Sequence, residues 1–333
     1  MTTSTLLFST VEADLQLLTN NLRELVGARH PILYTAAEHL FRVKGKRVRP
    51  AIVLLISQTT MLNQEITPKH RRLAEITEMI HTASLVHDDI VDESEIRRGV
   101  PTVHNSFTNR IAVLAGDFLF AQSSWYLANL DNLEVVKLLS EVIMDLAEGE
   151  IQQGLHRFDT DLSIEAYLEK SYYKTSSLIA NSSKAAAIIS DVSPELAQDM
   201  YYYGKYLGLA FQIVDDILDF TSATESLGKP ACSDLKSGNL TAPTLYAFEE
   251  KPALQKLLER ELAQNGDLEE AVRLIKDSQG IEKSQELATK YAKMAVEHLQ
   301  CLPDCDSRQA LINLTEYVLS RLYYCLLYTS DAA

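Results

Sequence analysis

Apolar residues recur along this chain at spacings of three and four, a period that predicts one helix after another. The pattern gives a first helix from Val11 to Val26, and Pro31 opens a second that extends to Phe41. Pro50 fits the first turn of a third, which continues as the apolar run Ala51 to Ile56. Thr67 and Pro68 read as an N-cap followed by proline at the first helical position. They start the helix that runs into EMIHTASLVHDDIVDESEIRRG, Glu78 to Gly99. Residues 111–130 and 133–155 read as two more helices, Ser163 caps a long helical segment, and Ser193-Pro194 starts another. Beyond Phe220 the segment TSATESLGKPACSDLKSGNLTAP breaks the period and gathers turn residues, which predicts a loop. From Ala253 to Leu319 the amphipathic pattern returns without any chemical constellation. No segment alternates as a strand would and no solenoid repeat is present, so the predicted class is all-α.

Composition narrows this picture. A length of 333 residues allows two domains, but Gly and Pro are sparse (12 and 9) and no linker interrupts the chain, which favours one large helical domain. With 46% hydrophobic and 23% charged residues the chain can bury a substantial core. A formal net charge of -15 argues against nucleic acid as a partner, because a polyphosphate backbone needs a basic surface. Cys232, Cys301, Cys305 and Cys325 show neither zinc-ligand spacing nor disulfide density, which fits a reducing compartment. No run reaches the roughly 18 apolar residues of a membrane span. The start, MTTSTLLFSTVEADLQ, turns acidic too early for a transit or signal peptide, so the chain is expected to stay where it is made, or to lack its leader. The ending YYCLLYTSDAA fits none of the preceding pattern, and residues 323–333 are expected to be a non-native or disordered tail.

The chemistry concentrates in the acidic stretch. On a helix His81, Ser84, Leu85, Asp88 and Asp92 share one face, so two carboxylates point the same way. At about 4 Å such a pair repels by roughly 4 kcal/mol at an effective dielectric near 20, and Asp89 and Glu93 add like charge. Mg²⁺ relieves a cluster of this kind, and Arg97-Arg98 directly after it suits bidentate phosphate contacts. A single DDxxD would be read as a solvated acidic helix end. The pattern recurs 127 residues later, from Asp88 to Asp215, with Gln212, Asp215, Asp216 and Asp219 on one face of an otherwise apolar run. Carboxylates in such a run need a cation or a polar cavity.

With DDIVD at Asp88 to Asp92 and DDILD at Asp215 to Asp219, the chain resembles the trans-polyprenyl diphosphate synthases, and within them the long-chain, solanesyl-type enzymes of cyanobacteria and chloroplasts. The resemblance covers roughly Phe8 to Arg321. It implies an isoprenoid synthase fold, a single helical bundle with the two acidic helices facing a central cavity. It implies three Mg²⁺ held by Asp88, Asp89, Asp92, Asp215, Asp216 and Asp219. KGKRVRP resembles the element that holds isopentenyl diphosphate, with Lys46 and Arg49 as its cations, and His81 and Arg98 match further ligands of that substrate. Arg97, Lys174, Thr175, Gln212 and Lys229 match positions around the allylic diphosphate, with Lys174, Arg97 and Lys229 in the catalytic role. Many relatives carry a further lysine where Asn239 stands, and Lys236 is a candidate to replace it. The cluster Glu148 to Gln153 resembles a family element but reads as helix-surface polarity.

The implied reaction is sequential head-to-tail condensation of isopentenyl diphosphate onto an allylic diphosphate, in a homodimer, with no Ser, Cys or His nucleophile. Ala83 and Ser84, five and four residues before Asp88, are small where short-chain relatives place an aromatic floor. They predict an open tunnel and a product of about nine isoprene units, a quinone side chain made in a plastid or a bacterial cytoplasm. Shorter, geranylgeranyl-type products, a non-catalytic subunit, a cyclase and an apolar carrier with an acidic Ca²⁺ site are the rival readings.

Overall fold

The computed structural model describes residues 7–25, 30–42, 45–61, 64–97, 99–221 and 232–330, which leaves Arg98 and Lys229 outside the described residues. The chain forms two compact units, one of residues 1–144, 178–204 and 298–314, the other of 145–177, 205–297 and 315–333. Both are helical, as the periodicity predicts.

The first unit begins with α1 (Glu12–Leu25), α2 (Pro31–Arg42), α3 (Val48–Thr60) and α4 (Pro68–Val91). Helix α3 is buried without a break from Pro50 to Ser57, as a helix apolar on every side must be. It packs on α4, whose start is fixed by a reciprocal cap between Thr67 and His70. The Thr67 backbone N–H donates to His70 Nδ1 at 3.2 Å, and His70 Nε2 lies 3.0 Å from Ser190 Oγ, itself 2.7 Å from Thr60 Oγ1. Burial pushes the His70 imidazole down to about 4, so it stays neutral in this network.

After α4 comes a feature the all-α expectation missed, an antiparallel hairpin of β1 (Ile96–Arg97) and β2 (Val100–Pro101). Two-residue strands are too short to show alternation. Gly99, at φ +79°, makes the turn that brings Val100 opposite Arg97. The short α5 (Val103–Ser106) leads to α6 (Asn109–Ala128), which packs along α4. Ala36, Val86, Val103, Ala112 and Ala115 form a shared core of α2, α4, α5 and α6. No run of 18 apolar residues occurs in α6, which Arg110, Asp117 and Gln122 interrupt, but by length and composition alone it is the one candidate span among the described residues, with a mean hydropathy of 1.2 over 18 residues. Only 33% of that window is buried, and Val113, Leu114 and Trp125 lie exposed.

Helix α7 (Leu133–Leu155) contributes its second half to the second unit. There follow α8 (Ile164–Ser171), a π-helical segment (Tyr172–Ser176), α9 (Ser177–Ile189) and α10 (Pro194–Thr221). Ser163 and Ser193 cap α8 and α10 as the sequence predicts, accepting from the N–H groups of Ala166 at 3.1 Å and Leu196 at 3.3 Å. A Cβ at Gly208 would stand 2.6 Å from Ser176 Cα, so only glycine lets α10 lie this close to the π segment. The chain then forms α11 (Ser233–Lys236), α12 (Ala242–Ala247), α13 (Pro252–Glu259), α14 (Asp267–Lys276) and α15 (Gly280–Glu297). Gly280, Ser284, Ala288, Ala292 and Ala295 form the buried stripe of α15. Helix α16 (Asp306–Ser330) runs on through most of the segment expected as a tail.

Candidate active site

The first acidic motif sits at the C-terminal end of α4, where the helix macrodipole is negative and carboxylates gain most from a cation. Asp92 is the exposed C-cap, its N–H bonded to the Asp88 carbonyl at 2.8 Å, and Asp88 is half-buried one turn earlier. Asp89 points elsewhere. It is 3% exposed, and Arg97 Nε on the hairpin donates to its Oδ1 at 2.7 Å. Burial pushes the Asp89 carboxyl up, and the Arg97 guanidinium opposes the shift.

A cavity of about 50 Å³ opens beside this pair, lined by Glu78, His81, Thr82, Leu85 and Asp89 of α4 together with His39, Arg47, Arg97 and residues 100–103. Arg49, at the start of α3, places Nη1 3.1 Å from His81 Nε2. A guanidinium only donates, so the imidazole accepts there and carries its proton on Nδ1. The structure thus brings together two residues that the resemblance assigns to one substrate. Lys46 is exposed just before α3. Between them stands Arg47, unmarked in the sequence, left-handed at φ +50° and ion-paired with Glu78. Ala83 is fully buried, Ser84 donates to the His81 carbonyl at 2.9 Å, and neither lines the cavity.

The second motif lies in the last turns of α10 and is far more enclosed. Asp216 is 2% exposed and Asp219 1%. Tyr167 Oη donates to Asp216 Oδ2 at 2.5 Å, and Gln212 Nε2 to its Oδ1 at 2.8 Å. Gln212 Oε1 in turn accepts from Thr175 Oγ1 at 2.6 Å. Asp219 accepts from Ser233 Oγ and from the Asp234 N–H, each at 3.2 Å. Asp215 ion-pairs with Arg321 at 2.7 Å, whose guanidinium also lies 5.0 Å from the centre of the Phe211 ring. Burial and the nearby Asp234 carboxylate push Asp216 up to about 7, against the hydrogen bonds from Tyr167 and Gln212 that favour its charged form.

Lys174, one residue before Thr175 in the π segment, donates to Gln153 Oε1 at 2.9 Å and pairs with Glu150 at 2.8 Å. The polar cluster Glu148 to Gln153 is therefore more than helix-surface polarity, since two of its members bind Lys174. The π segment itself is a common device of functional sites: one widened turn re-aims the side chains that follow.

All donors in both motifs are oxygens, which suits a hard cation such as Mg²⁺. Among the described residues no three His, Cys, Asp or Glu side chains converge into a ready-made cage. An ion there would be held by one or two carboxylates, with water or ligand oxygens completing its shell, as Mg²⁺ commonly is in phosphate sites. The donor set fits.

Tyr167, Lys170 and Arg321 escaped the sequence reasoning. Tyr167 and Lys170 lie one helical turn apart just before Lys174, a spacing that could have flagged them. Arg321 is too distant in sequence from Asp215 to leave any local signal.

A family model described as polyprenyl synthetase matches residues 30–275. A prenyl transferase of Synechocystis is 66% identical over 97% of this chain and 100% of its own length. The chloroplastic solanesyl diphosphate synthase 1 of Arabidopsis thaliana is 55% identical over 95% of this chain and 79% of its own. The crystal structure of a polyprenyl synthase from Caulobacter crescentus, complexed with calcium and isoprenyl diphosphate, is similar with a TM-score of 0.89 and 32% identity, covering 96% of this chain and 98% of that one.

Proposed function

The chain belongs to the polyprenyl synthetase family and is a long-chain trans-polyprenyl synthase, and from that premise we propose which residues carry the reaction. The substrates are isopentenyl diphosphate and an allylic diphosphate, condensed head to tail to a product of about nine isoprene units for a quinone side chain. The observation that carries the residue assignment is the buried second motif, where Asp216 is fixed by Tyr167 and Gln212, and Gln212 in turn accepts from Thr175, the neighbour of Lys174 in the π segment.

Asp88, Asp89 and Asp92 in the first motif and Asp215, Asp216 and Asp219 in the second bind Mg²⁺, three ions per site. When bound, the metal supplies positive charge that stabilises the leaving diphosphate. Lys174, Arg97 and Lys229 share that charge, while Thr175 and Gln212 orient the second motif. Lys46, Arg49, His81 and Arg98 hold isopentenyl diphosphate so that its double bond attacks the allylic carbon. The proton lost afterwards goes to the departing diphosphate, and no side chain forms a covalent bond to substrate.

The exposed apolar residues Val113, Leu114 and Trp125 on α6 support a homodimer, for which sedimentation equilibrium should give twice the 37.3 kDa of one chain. The compartment is a plastid stroma, or the cytoplasm in a bacterium.

Incubating the protein with farnesyl diphosphate, labelled isopentenyl diphosphate and Mg²⁺ tests the chemistry. Labelled prenyl diphosphate should form only when all three are present. A hydrocarbon formed without isopentenyl diphosphate would point to a cyclase, and an unchanged rate after chelation would remove the metal from the account.

A further inference from the structure

Lys170 lies in the last turn of α8 and is 5% exposed, and among the described residues no other lysine or arginine is buried to this degree. A buried ammonium is costly to desolvate, so it calls for a reason in its surroundings. Those surroundings are the second acidic motif. Lys170 Nζ donates to Asn239 Oδ1 at 2.6 Å. One turn earlier on the same helix, Tyr167 holds Asp216. Burial pulls the Lys170 ammonium down, while Asp216, Asp234 and Glu150 favour its charge and Lys174 opposes it, which places it in the field of the whole cluster.

Asn239 is itself rigidly placed. Its N–H donates to the Asp234 carbonyl at 2.9 Å, it bridges to Arg157, and the preceding Gly238, at φ +82°, accepts from the Phe158 N–H at 2.8 Å. Lys236, the replacement that the sequence suggested for a lysine at 239, is exposed on the outside of α11.

We propose that Lys170 is a positioning residue of the allylic diphosphate site, a fixed cation delivered from α8 to the place that Asn239 occupies without charge. Lys170 and Asn239 act as a pair: one brings the positive charge, the other anchors it beside Asp216 and Asp234. This rests on the assignment of the second motif and Lys174 to the allylic diphosphate.

A charge-swap cycle tests it. Lys170→Met keeps the volume and removes the charge; it should raise KM for the allylic diphosphate and the Mg²⁺ concentration for half-maximal rate, and lower kcat/KM for that substrate about 10- to 100-fold, the usual effect of losing a partner behind a metal ligand. KM for isopentenyl diphosphate should stay within about twofold of the wild-type value. Asn239→Lys alone crowds two ammonium groups and should also lose activity. The double variant, Lys170→Met with Asn239→Lys, should recover most of it, a coupling that independent sites do not show. If the two losses simply multiply in a folded double variant, or if Lys170→Met matches wild type, the pairing is wrong. Asp216→Asn and Lys174→Ala, assayed in parallel, separate the two levels: if both keep full activity, the site assignment has failed, whereas if both are impaired and the cycle shows no recovery, only Lys170 has.

Discussion

The two DDxxD motifs are nearly identical in sequence and differ in what surrounds them. The first ends a helix at the surface, with Asp92 exposed as the cap and only Asp89 buried against Arg97. The second is enclosed, and Tyr167, Gln212, Ser233 and Arg321 all bind its carboxylates. The same five-residue pattern thus yields a solvated set of carboxylates in one place and a pre-positioned one in the other. Identical motifs need not do identical work: the surroundings decide how much of the geometry is fixed before a cation arrives.

The largest effect should come from the enclosed motif. Asp216→Asn keeps the shape and removes the charge, and kcat/KM should fall on the order of 10²- to 10³-fold with little change in Tm. Full activity in that variant would break the contrast. Tyr167→Phe removes one bond to Asp216, and a loss of about 10-fold together with a raised Mg²⁺ requirement is expected; Asp92→Asn, at the exposed cap, should raise the Mg²⁺ requirement without touching Tm. Equal losses of kcat/KM from Asp216→Asn and Asp92→Asn would show that the enclosure carries no weight in catalysis.

Ala83→Phe probes the other helix. The site is fully buried, so the ring should cost about 1–3 kcal/mol of stability, read by urea unfolding, and shorten the prenyl product. Unchanged product length would remove Ala83 from the tunnel.

The smallest effect on catalysis concerns the far end of α4. His70 has its folded-state value lowered to about 4 from an ordinary 6.5, so the unfolded chain binds the proton more readily. Its contribution to stability is complete above about pH 6.5 and is lost as pH falls towards 4, up to about 3 kcal/mol in all. His70→Gln can keep both hydrogen bonds without titrating, so its unfolding free energy should change less between pH 7.5 and 4.5 than that of the wild type, with unchanged activity at pH 7.5. Parallel pH profiles would assign the acid sensitivity elsewhere.

Much of this architecture was legible in the sequence, for reasons particular to each element. The caps at Thr67, Ser163 and Ser193 declare themselves because a side-chain oxygen ahead of a helical period has one common use. The acidic motifs declare themselves because carboxylates in an apolar run are expensive. The hairpin that delivers Arg97 did not, since two residues cannot display an alternation. Arg321 was hidden because its partner lies a hundred residues away, and Lys170 because a lone lysine in a helix resembles a surface residue until its burial is known. Glu150 and Gln153 were misjudged for the same reason: polarity on a helix says nothing about which neighbour it faces.

Whether these residues build a long-chain prenyl diphosphate is read from chromatography of dephosphorylated products made from farnesyl diphosphate, labelled isopentenyl diphosphate and Mg²⁺. A ladder of labelled prenols ending near nine isoprene units is expected. A folded protein that yields no labelled prenol, or stops at four units, would contradict it.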